Sequence, residues 1–292
     1  MPEEKKVWTV LSMLEWATDY FKNKNIPHPR LSIEWLLADT LALRRLDLYL
    51  KYDRPLSSVE LDVLRSKIKR RSRHEPLQYI TGFTEFMNCR INVNPAVLIP
   101  RVETEQLVEI ILDDYKHLAD RPVEVLDIGT GSGCIPIAIA RAMPGWHCTG
   151  IDSSKDALET AKENARKNDV SVQFIQEDLF NLAGNHALSG NRFDLIISNP
   201  PYILPGEEEK LDKEVILFEP RYALVYENPV LLYNHIGEFA SRNLKDSGML
   251  YVECNDVLAG QISRELQQWF HAVEILTDYD KKERFIKAVK DD

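Results

Sequence analysis

The sequence lacks the features that would place it in a membrane, a secreted scaffold or a metal site. No apolar run approaches the roughly 18 residues that cross a bilayer. No apolar signal-peptide core follows the opening Met1-Pro2-Glu3-Glu4-Lys5-Lys6. The four cysteines, Cys89, Cys134, Cys148 and Cys254, are scattered, without the paired spacing of a zinc site or redox couple. No His-Glu-x-x-His run or carboxylate cluster argues for a metal, and none is expected. His147, His235 and His271 stand outside any recognisable nucleophile motif. There is no internal repeat and no low-complexity segment. What remains is a folded protein with core thiols, expected in the reducing cytoplasm.

The balance of the 292 residues is ordinary for a globular chain, with 28% charged and 44% hydrophobic. The net charge of -10 is unevenly spread. Residues 1–80 hold 15 Lys+Arg against 11 Asp+Glu, and residues 81–292 hold 21 against 35. So acidic a body repels phosphate and argues against broad nucleic-acid binding. A basic front end suits an acidic partner.

The chain reads as two domains. Residues 1–76 have helical periodicity: one helix from about Val7 to Lys22, a second after Pro27-His28-Pro29, a short third around Leu46–Leu50, and a fourth starting at Ser57. Ser57 and Glu60 have capping-box spacing. The fourth helix carries Leu61, Leu64 and Ile68 on one face and Arg65, Lys67, Lys69, Arg70, Arg71 and Arg73 on the other, either a solvated side or a docking surface. Residues 77–98 alternate like a β-hairpin linker with Met87-Asn88 near its turn. In residues 99–292 a helix opens near Pro100. After Pro122 strand and helix alternate, as in an α/β parallel sheet with helices on both faces. Candidate strands are Val123–Ile128, His147–Asp152, Ser171–Gln176, Phe193–Ser198, Met249–Glu253, Val273–Thr277 and Arg284–Val289.

Four strand ends carry chemistry. The first runs into Gly129-Thr130-Gly131-Ser132-Gly133, whose glycines allow a tight turn and close approach to a ligand. A dinucleotide fingerprint would need glycine where Cys134 stands, and a P-loop would need Lys-Ser/Thr. Asp152 ends the second strand, where a carboxylate can accept from both ribose hydroxyls or cap the next helix. Asp178 ends the third, able to accept from an adenine amine while Leu179 and Phe180 cover the ring, or simply to make a turn. Asn199-Pro200-Pro201-Tyr202 ends the fourth. Proline removes backbone donors and pushes Asn199 toward extended geometry, leaving a carbonyl-rich loop with an amide and an aromatic ring. Such a loop can orient an NH2 group, or merely terminate a buried strand. A nucleoside without phosphate demand beside an amino-orienting loop matches S-adenosylmethionine.

These elements resemble a Rossmann-like class I S-adenosylmethionine-dependent methyltransferase of the amino-methylating kind. Glu75-Pro76-Leu77-Gln78-Tyr79-Ile80-Thr81-Gly82, Leu98-Ile99-Pro100-Arg101-Val102-Glu103-Thr104-Glu105 and Phe218-Glu219-Pro220-Arg221-Tyr222-Ala223-Leu224 resemble the PrmC/HemK family over nearly the whole chain. The resemblance implies a mostly parallel seven-stranded sheet and a small all-α N-terminal domain. It implies transfer to the side-chain nitrogen (N5) of the glutamine in the Gly-Gly-Gln motif of peptide chain release factors, which act in translation termination. Carried onto this sequence, Gly129, Thr130, Gly131, Ser132, Gly133, Asp152, Asp178, Leu179 and Asn199 would hold the cofactor. Asn199, Pro200, Pro201 and Tyr202 would bind the substrate, with Asn199, Pro200 and Tyr202 catalytic. The family usually has proline at Val102, often a Gly-Gly-x-Asp-Gly-like stretch at Val225–Pro229, and often glycine at Asn255. The rival readings are a nucleic-acid amino-methyltransferase and a non-catalytic cofactor-binding module that recruits a protein.

Overall fold

The computed structural model describes residues 7–184 and 192–291, so residues 1–6 and the expectation placed on them lie outside the described residues. The described chain divides into two units. The first holds residues 7–82 with Asp212–Phe218, and the second holds residues 83–184, 192–211 and 219–291.

In the first unit, Thr9 caps α1 (Val10–Asn23). The Ser12 N–H donates to Thr9 Oγ1 at 3.2 Å and the Thr9 N–H donates to Ser12 Oγ at 2.8 Å, satisfying two otherwise orphaned donors. Val10, Met13, Leu14, Ala17 and Phe21 recur at helical spacing and are all buried. Pro29 takes the first position of α2 (Pro29–Leu41), where its missing N–H is no loss. The Leu46–Leu50 region is a 3-10 helix, Arg45–Lys51. The expected Ser57–Glu60 box starts α3 (Ser58–Arg71), with the Ser57 N–H donating to Glu60 Oε2 at 2.8 Å.

Two expectations need correction here. The basic face of α3 is smaller than its sequence suggests. Arg71 is buried, ion-paired with Glu214, and donates to Ser32 Oγ at 3.2 Å and the Glu75 carbonyl at 2.9 Å. Lys67 pairs with Asp39 and Arg70 with Glu75, leaving Arg65, Lys69 and Arg73 as the exposed members of the run. Nor does the alternation begin at Leu77, because the hairpin starts at Phe83 and Leu77–Thr81 forms α4. Pro76 stands at its N-cap and Gly82, at φ 85°, closes it. A β-branched Thr81 does not outweigh those two stops.

The second unit opens with β1 (Phe83–Phe86) and β2 (Cys89–Asn92), an antiparallel hairpin with Met87 and Asn88 both at positive φ in its turn. Then come α5 (Val102–Tyr115), β3 (Glu124–Ile128), α6 (Cys134–Ala142), β4 (His147–Asp152), α7 (Lys155–Lys167), β5 (Val172–Gln176) and β6 (Phe193–Ser198). After α8 (Lys213–Phe218), which belongs with the first unit, follow α9 (Pro229–Asn243), β7 (Leu244–Glu253), α10 (Ala259–Leu266), β8 (Ala272–Thr277) and β9 (Glu283–Val289). The seven-stranded sheet has the order β5-β4-β3-β6-β7-β9-β8, parallel except where β9 pairs with β7 and β8. The central strands β3 and β6 are buried almost throughout because helices cover both faces, whereas the edge strand β5 is only partly buried. Leu126, Ile196, Leu250 and Val252 pack with Tyr233, Ile236 and Ile262 of the helices in one core.

The hairpin is fastened to α7 by two asparagines one helical turn apart. Asn164 Oδ1 accepts the Asn92 N–H at 2.8 Å and its Nδ2 donates to the Asn92 carbonyl at 3.0 Å. Asn168 does the same for Arg90, at 3.1 and 2.9 Å. A side-chain amide carries the same donor and acceptor as a peptide, so the pair substitutes for a third strand along β2. All four cysteines are free and buried.

Candidate active site

The chain runs from β3 outward through β4 to β5 and then crosses to the other side of β3 to make β6. Such a reversal leaves a crevice past the carboxyl ends of the strands. All four signals lie on that rim. A cleft of about 290 Å³ is lined there by Gly129, Gly131, Asp152, Asp178 and Leu179 on one side, and by Asn199, Pro200 and Pro201 on the other. Phe180 and Tyr226 also line it, stacked with ring centroids 6.2 Å apart, and His235 meets Phe180 edge-on at 5.0 Å.

The structure sets the remaining predicted residues behind this surface. Thr130 and Ser132 are buried, and the Ser132 carbonyl accepts from Asn164 Nδ2 at 2.9 Å. Gly133, at φ 77°, sits where an added Cβ would come within 3.0 Å of Ala161 and 3.1 Å of Ile137. Gly131, at φ 53°, has open space above it. One glycine is thus demanded by packing, and the other leaves room over the cleft. Asp152 accepts the Gly131 N–H at 2.9 Å and the Ser154 N–H at 2.8 Å, so it ties the glycine loop to β4. Burial pushes its carboxyl up from the ordinary range, and those two bonds oppose the rise. Asp178 Oδ1 accepts the Phe180 N–H at 3.0 Å, which fixes the turn that presents Leu179 and Phe180.

Behind the fourth strand end lies a network the motifs alone do not announce. Asn199 Nδ2 donates to Thr104 Oγ1 at 3.1 Å. Thr104 donates to Glu253 Oε2 at 2.7 Å, and the Tyr202 hydroxyl donates to Glu253 Oε1 at 3.2 Å. Glu253 ends β7, is fully buried, and desolvation pushes its carboxyl up to about 7 against the pull of Thr104 and Tyr202. Sequence reasoning missed Thr104 and Glu253 as site residues. Their only advance sign was position, one inside Val102-Glu103-Thr104-Glu105 and the other at a strand's carboxyl end.

The two other stretches that carry the resemblance also meet. Glu219 is buried and accepts from Arg101 Nη2 at 2.6 Å and from the Ile99 N–H at 3.1 Å, joining Leu98–Glu105 to Phe218–Leu224. The departures are accommodated. Val102 is exposed at the first position of α5, where proline is merely favourable. Val225–Pro229 supplies Tyr226 to the cleft wall. Asn255 Oδ1 accepts the Val257 N–H at 2.9 Å in the turn after β7.

The site fits a cationic nucleoside cofactor. Gly129 and Gly131 both have open space where a Cβ would stand. Beneath their loop, both Asp127 carboxylate oxygens are buried and without a hydrogen-bond partner. Burial raises that carboxyl to about 7. The Thr130 hydroxyl opposes the rise without reaching hydrogen-bond geometry.

Residues 119–288 match the methyltransferase domain model, and residues 12–82 match the PrmC N-terminal domain model. Fold, rim and match together define a class I S-adenosylmethionine-dependent methyltransferase. The chain is 39% identical over 295 residues to the release factor glutamine methyltransferase of Chlorobaculum tepidum, covering 99% of both chains. It is also 39% identical to that of Geobacter sulfurreducens, over 90% of this chain and 92% of the other. The chain therefore belongs to the release factor glutamine methyltransferase family. Among solved structures, a 16S rRNA methyltransferase from T. thermophilus in complex with AdoMet and guanosine shares the fold. Its TM-score is 0.53 at 19% identity, over 71% of this chain and 49% of that one. No described helix is long and apolar enough to cross a membrane.

Proposed function

We propose that this enzyme methylates the side-chain amide nitrogen of the glutamine in the Gly-Gly-Gln motif of peptide chain release factors, in the cytoplasm. The observation that carries the reading is Asn199-Pro200-Pro201 lining the same cleft as Gly129, Gly131 and Asp152, so an amino-orienting loop adjoins a nucleoside cradle. Near full-length similarity to release factor glutamine methyltransferases supports the substrate.

Gly129, Gly131, Asp152, Asp178 and Leu179 would hold the cofactor, on a loop that Thr130, Ser132 and Gly133 anchor from behind. Bound there, S-adenosylmethionine supplies an electrophilic methyl group. The protein's task is to hold a poor nucleophile, since an amide lone pair is delocalised into its carbonyl. The Asn199 side-chain oxygen and the Pro200 carbonyl would each accept one N–H, which would fix the nitrogen and leave its lone pair facing the cleft. Tyr202, its hydroxyl held by Glu253, would meet the amide plane from the far end of the loop. Positioning of this kind supplies most of the rate. The proton that the nitrogen sheds as it is methylated would pass to solvent, so no strong general base is required. The helical first unit, with its match to the PrmC N-terminal domain, is assigned to recognising the protein substrate.

The test is to incubate the protein with labelled S-adenosylmethionine and, in parallel, a release factor, DNA and structured RNA, and to map the label by mass spectrometry. One methyl group on the Gly-Gly-Gln glutamine is the expected result. Label in nucleic acid would overturn the substrate while leaving the class intact. A cofactor-bound protein that transfers nothing would point to a recruitment module.

A further inference from the structure

We propose that Glu253, acting through Thr104, dictates which end of the Asn199 side-chain amide faces the substrate, so that Glu253 and Thr104 are positioning residues for methyl transfer. The inference rests on the reading of Asn199 as the acceptor of a substrate N–H.

It follows from counting protons along the network. An ionised carboxylate only accepts hydrogen bonds, and Glu253 takes one on each oxygen, from Thr104 at 2.7 Å and from Tyr202 at 3.2 Å. A threonine hydroxyl has a single proton. With that proton committed to Glu253, Thr104 Oγ1 offers only lone pairs to its other neighbour. Asn199 must therefore turn its NH2 end toward Thr104, and the two are 3.1 Å apart in that sense. The amide oxygen is left for the cleft, which Asn199 lines.

The opposite orientation would set an NH2 group against the NH2 of a substrate glutamine, donor against donor. A buried carboxylate two hydrogen bonds away thus decides whether the site attracts or repels its substrate's amide.

The frame around the relay is rigid. Thr104 is buried in the first turn of α5, Glu253 is buried at the end of β7, and the Tyr233 hydroxyl donates to the Glu253 carbonyl at 2.7 Å. The Glu103 carboxylate on α5, the Arg284 guanidinium on β9, the Tyr202 and Tyr233 phenols and the Cys134 and Cys254 thiols face Glu253 from the surrounding elements. The same relay grips the loop at both ends, Asn199 through Thr104 and Tyr202 directly.

The experiment compares wild type, Thr104→Val and Thr104→Ser in the full-length protein at mildly alkaline pH. Thr104→Val keeps the shape and removes the relay, whereas Thr104→Ser keeps the hydroxyl. The expected result is a fall in kcat of roughly 10–100-fold for Thr104→Val. Cofactor affinity by calorimetry should stay unchanged, and Thr104→Ser should restore most of the rate. Independently of turnover, the side-chain amide resonances of Asn199 in ¹⁵N NMR should shift in Thr104→Val and stay in place in Thr104→Ser. A Thr104→Val protein with wild-type kcat and an unmoved Asn199 amide would overturn the relay. A purely structural role would lower the Tm of both variants without selective rescue by serine, and would likewise overturn it. If wild type transfers no methyl to a Gly-Gly-Gln substrate, the substrate reading fails, and the resonance comparison still decides whether Thr104 sets the amide.

Discussion

Asn164 on α7 donates to the Ser132 carbonyl in the glycine loop at 2.9 Å with the same Nδ2 that donates to Asn92 in the hairpin at 3.0 Å. One buried side chain therefore joins the element ahead of the sheet to the loop that cradles the cofactor. Asn164→Ala should strand a carbonyl and an N–H on β2 and a carbonyl in the loop. The expected loss is about 2–4 kcal/mol in chemical denaturation, with weaker cofactor binding by calorimetry. Unchanged stability would mean that water replaces the amide.

The two glycines of different character should respond differently to alanine. At Gly133 a methyl group meets Ala161 at 3.0 Å and Ile137 at 3.1 Å under a positive φ, so the variant should lose about 2–4 kcal/mol of stability. At Gly131 the space is open and only the backbone conformation is strained, about 1 kcal/mol. Its methyl group projects where the nucleoside belongs, and loss of cofactor affinity should exceed loss of Tm. Thermal melts with and without cofactor separate the two.

At two buried carboxyls, acidity should favour the folded state. Asp127 and Glu253 are both raised to about 7 by burial. Below about pH 4 such carboxyls are neutral in native and unfolded chains alike, and their contribution is at its maximum. As pH rises toward 7 the unfolded chain ionises first, so the native state loses that contribution until both forms are charged. Asp127→Asn removes one of the two groups. It should flatten the decline in unfolding free energy between about pH 4 and 7 and raise the Tm at alkaline pH. A variant with the wild-type pH slope would show that Asp127 is ionised in the fold at no cost.

Glu219→Ala should be among the most damaging changes outside the cleft. It leaves the half-buried Arg101 without its partner and the buried Ile99 N–H without its acceptor, a loss of about 2–3 kcal/mol. Glu219→Gln keeps the backbone bond and should recover part of the loss.

Much of the fold is legible in the sequence because the central strands are short, mostly apolar runs that stop at Gly129 and at Asn199-Pro200. Strands His147–Asp152 and Phe193–Ser198 fall where the pattern predicts. The rim is legible for the same reason, since strand ends carry the polar residues. What the pattern conceals is long-range pairing. Thr104 and Glu253 lie 149 positions apart, and no local rule makes a threonine in a first turn answer a carboxylate at a strand end. Arg71 misleads in the same way, because its charge suggests solvent while its partner Glu214 lies 143 positions ahead. Tyr79, Ile80 and Thr81 favour strand by their side chains and are helical because Pro76 and Gly82 bracket them.

The segment Asp212–Phe218 also bears on how the protein is made. The first unit receives its last piece, including the carboxylate that neutralises Arg71, from a stretch that follows the first four strands of the seven-stranded sheet. A chain emerging from the ribosome thus exposes an unfinished helical unit with an uncompensated guanidinium while those strands are still being translated. Synthesis of the amino-terminal region and completion of its fold are separated in time, and an isolated fragment ending at Gly82 should be only a partial native state.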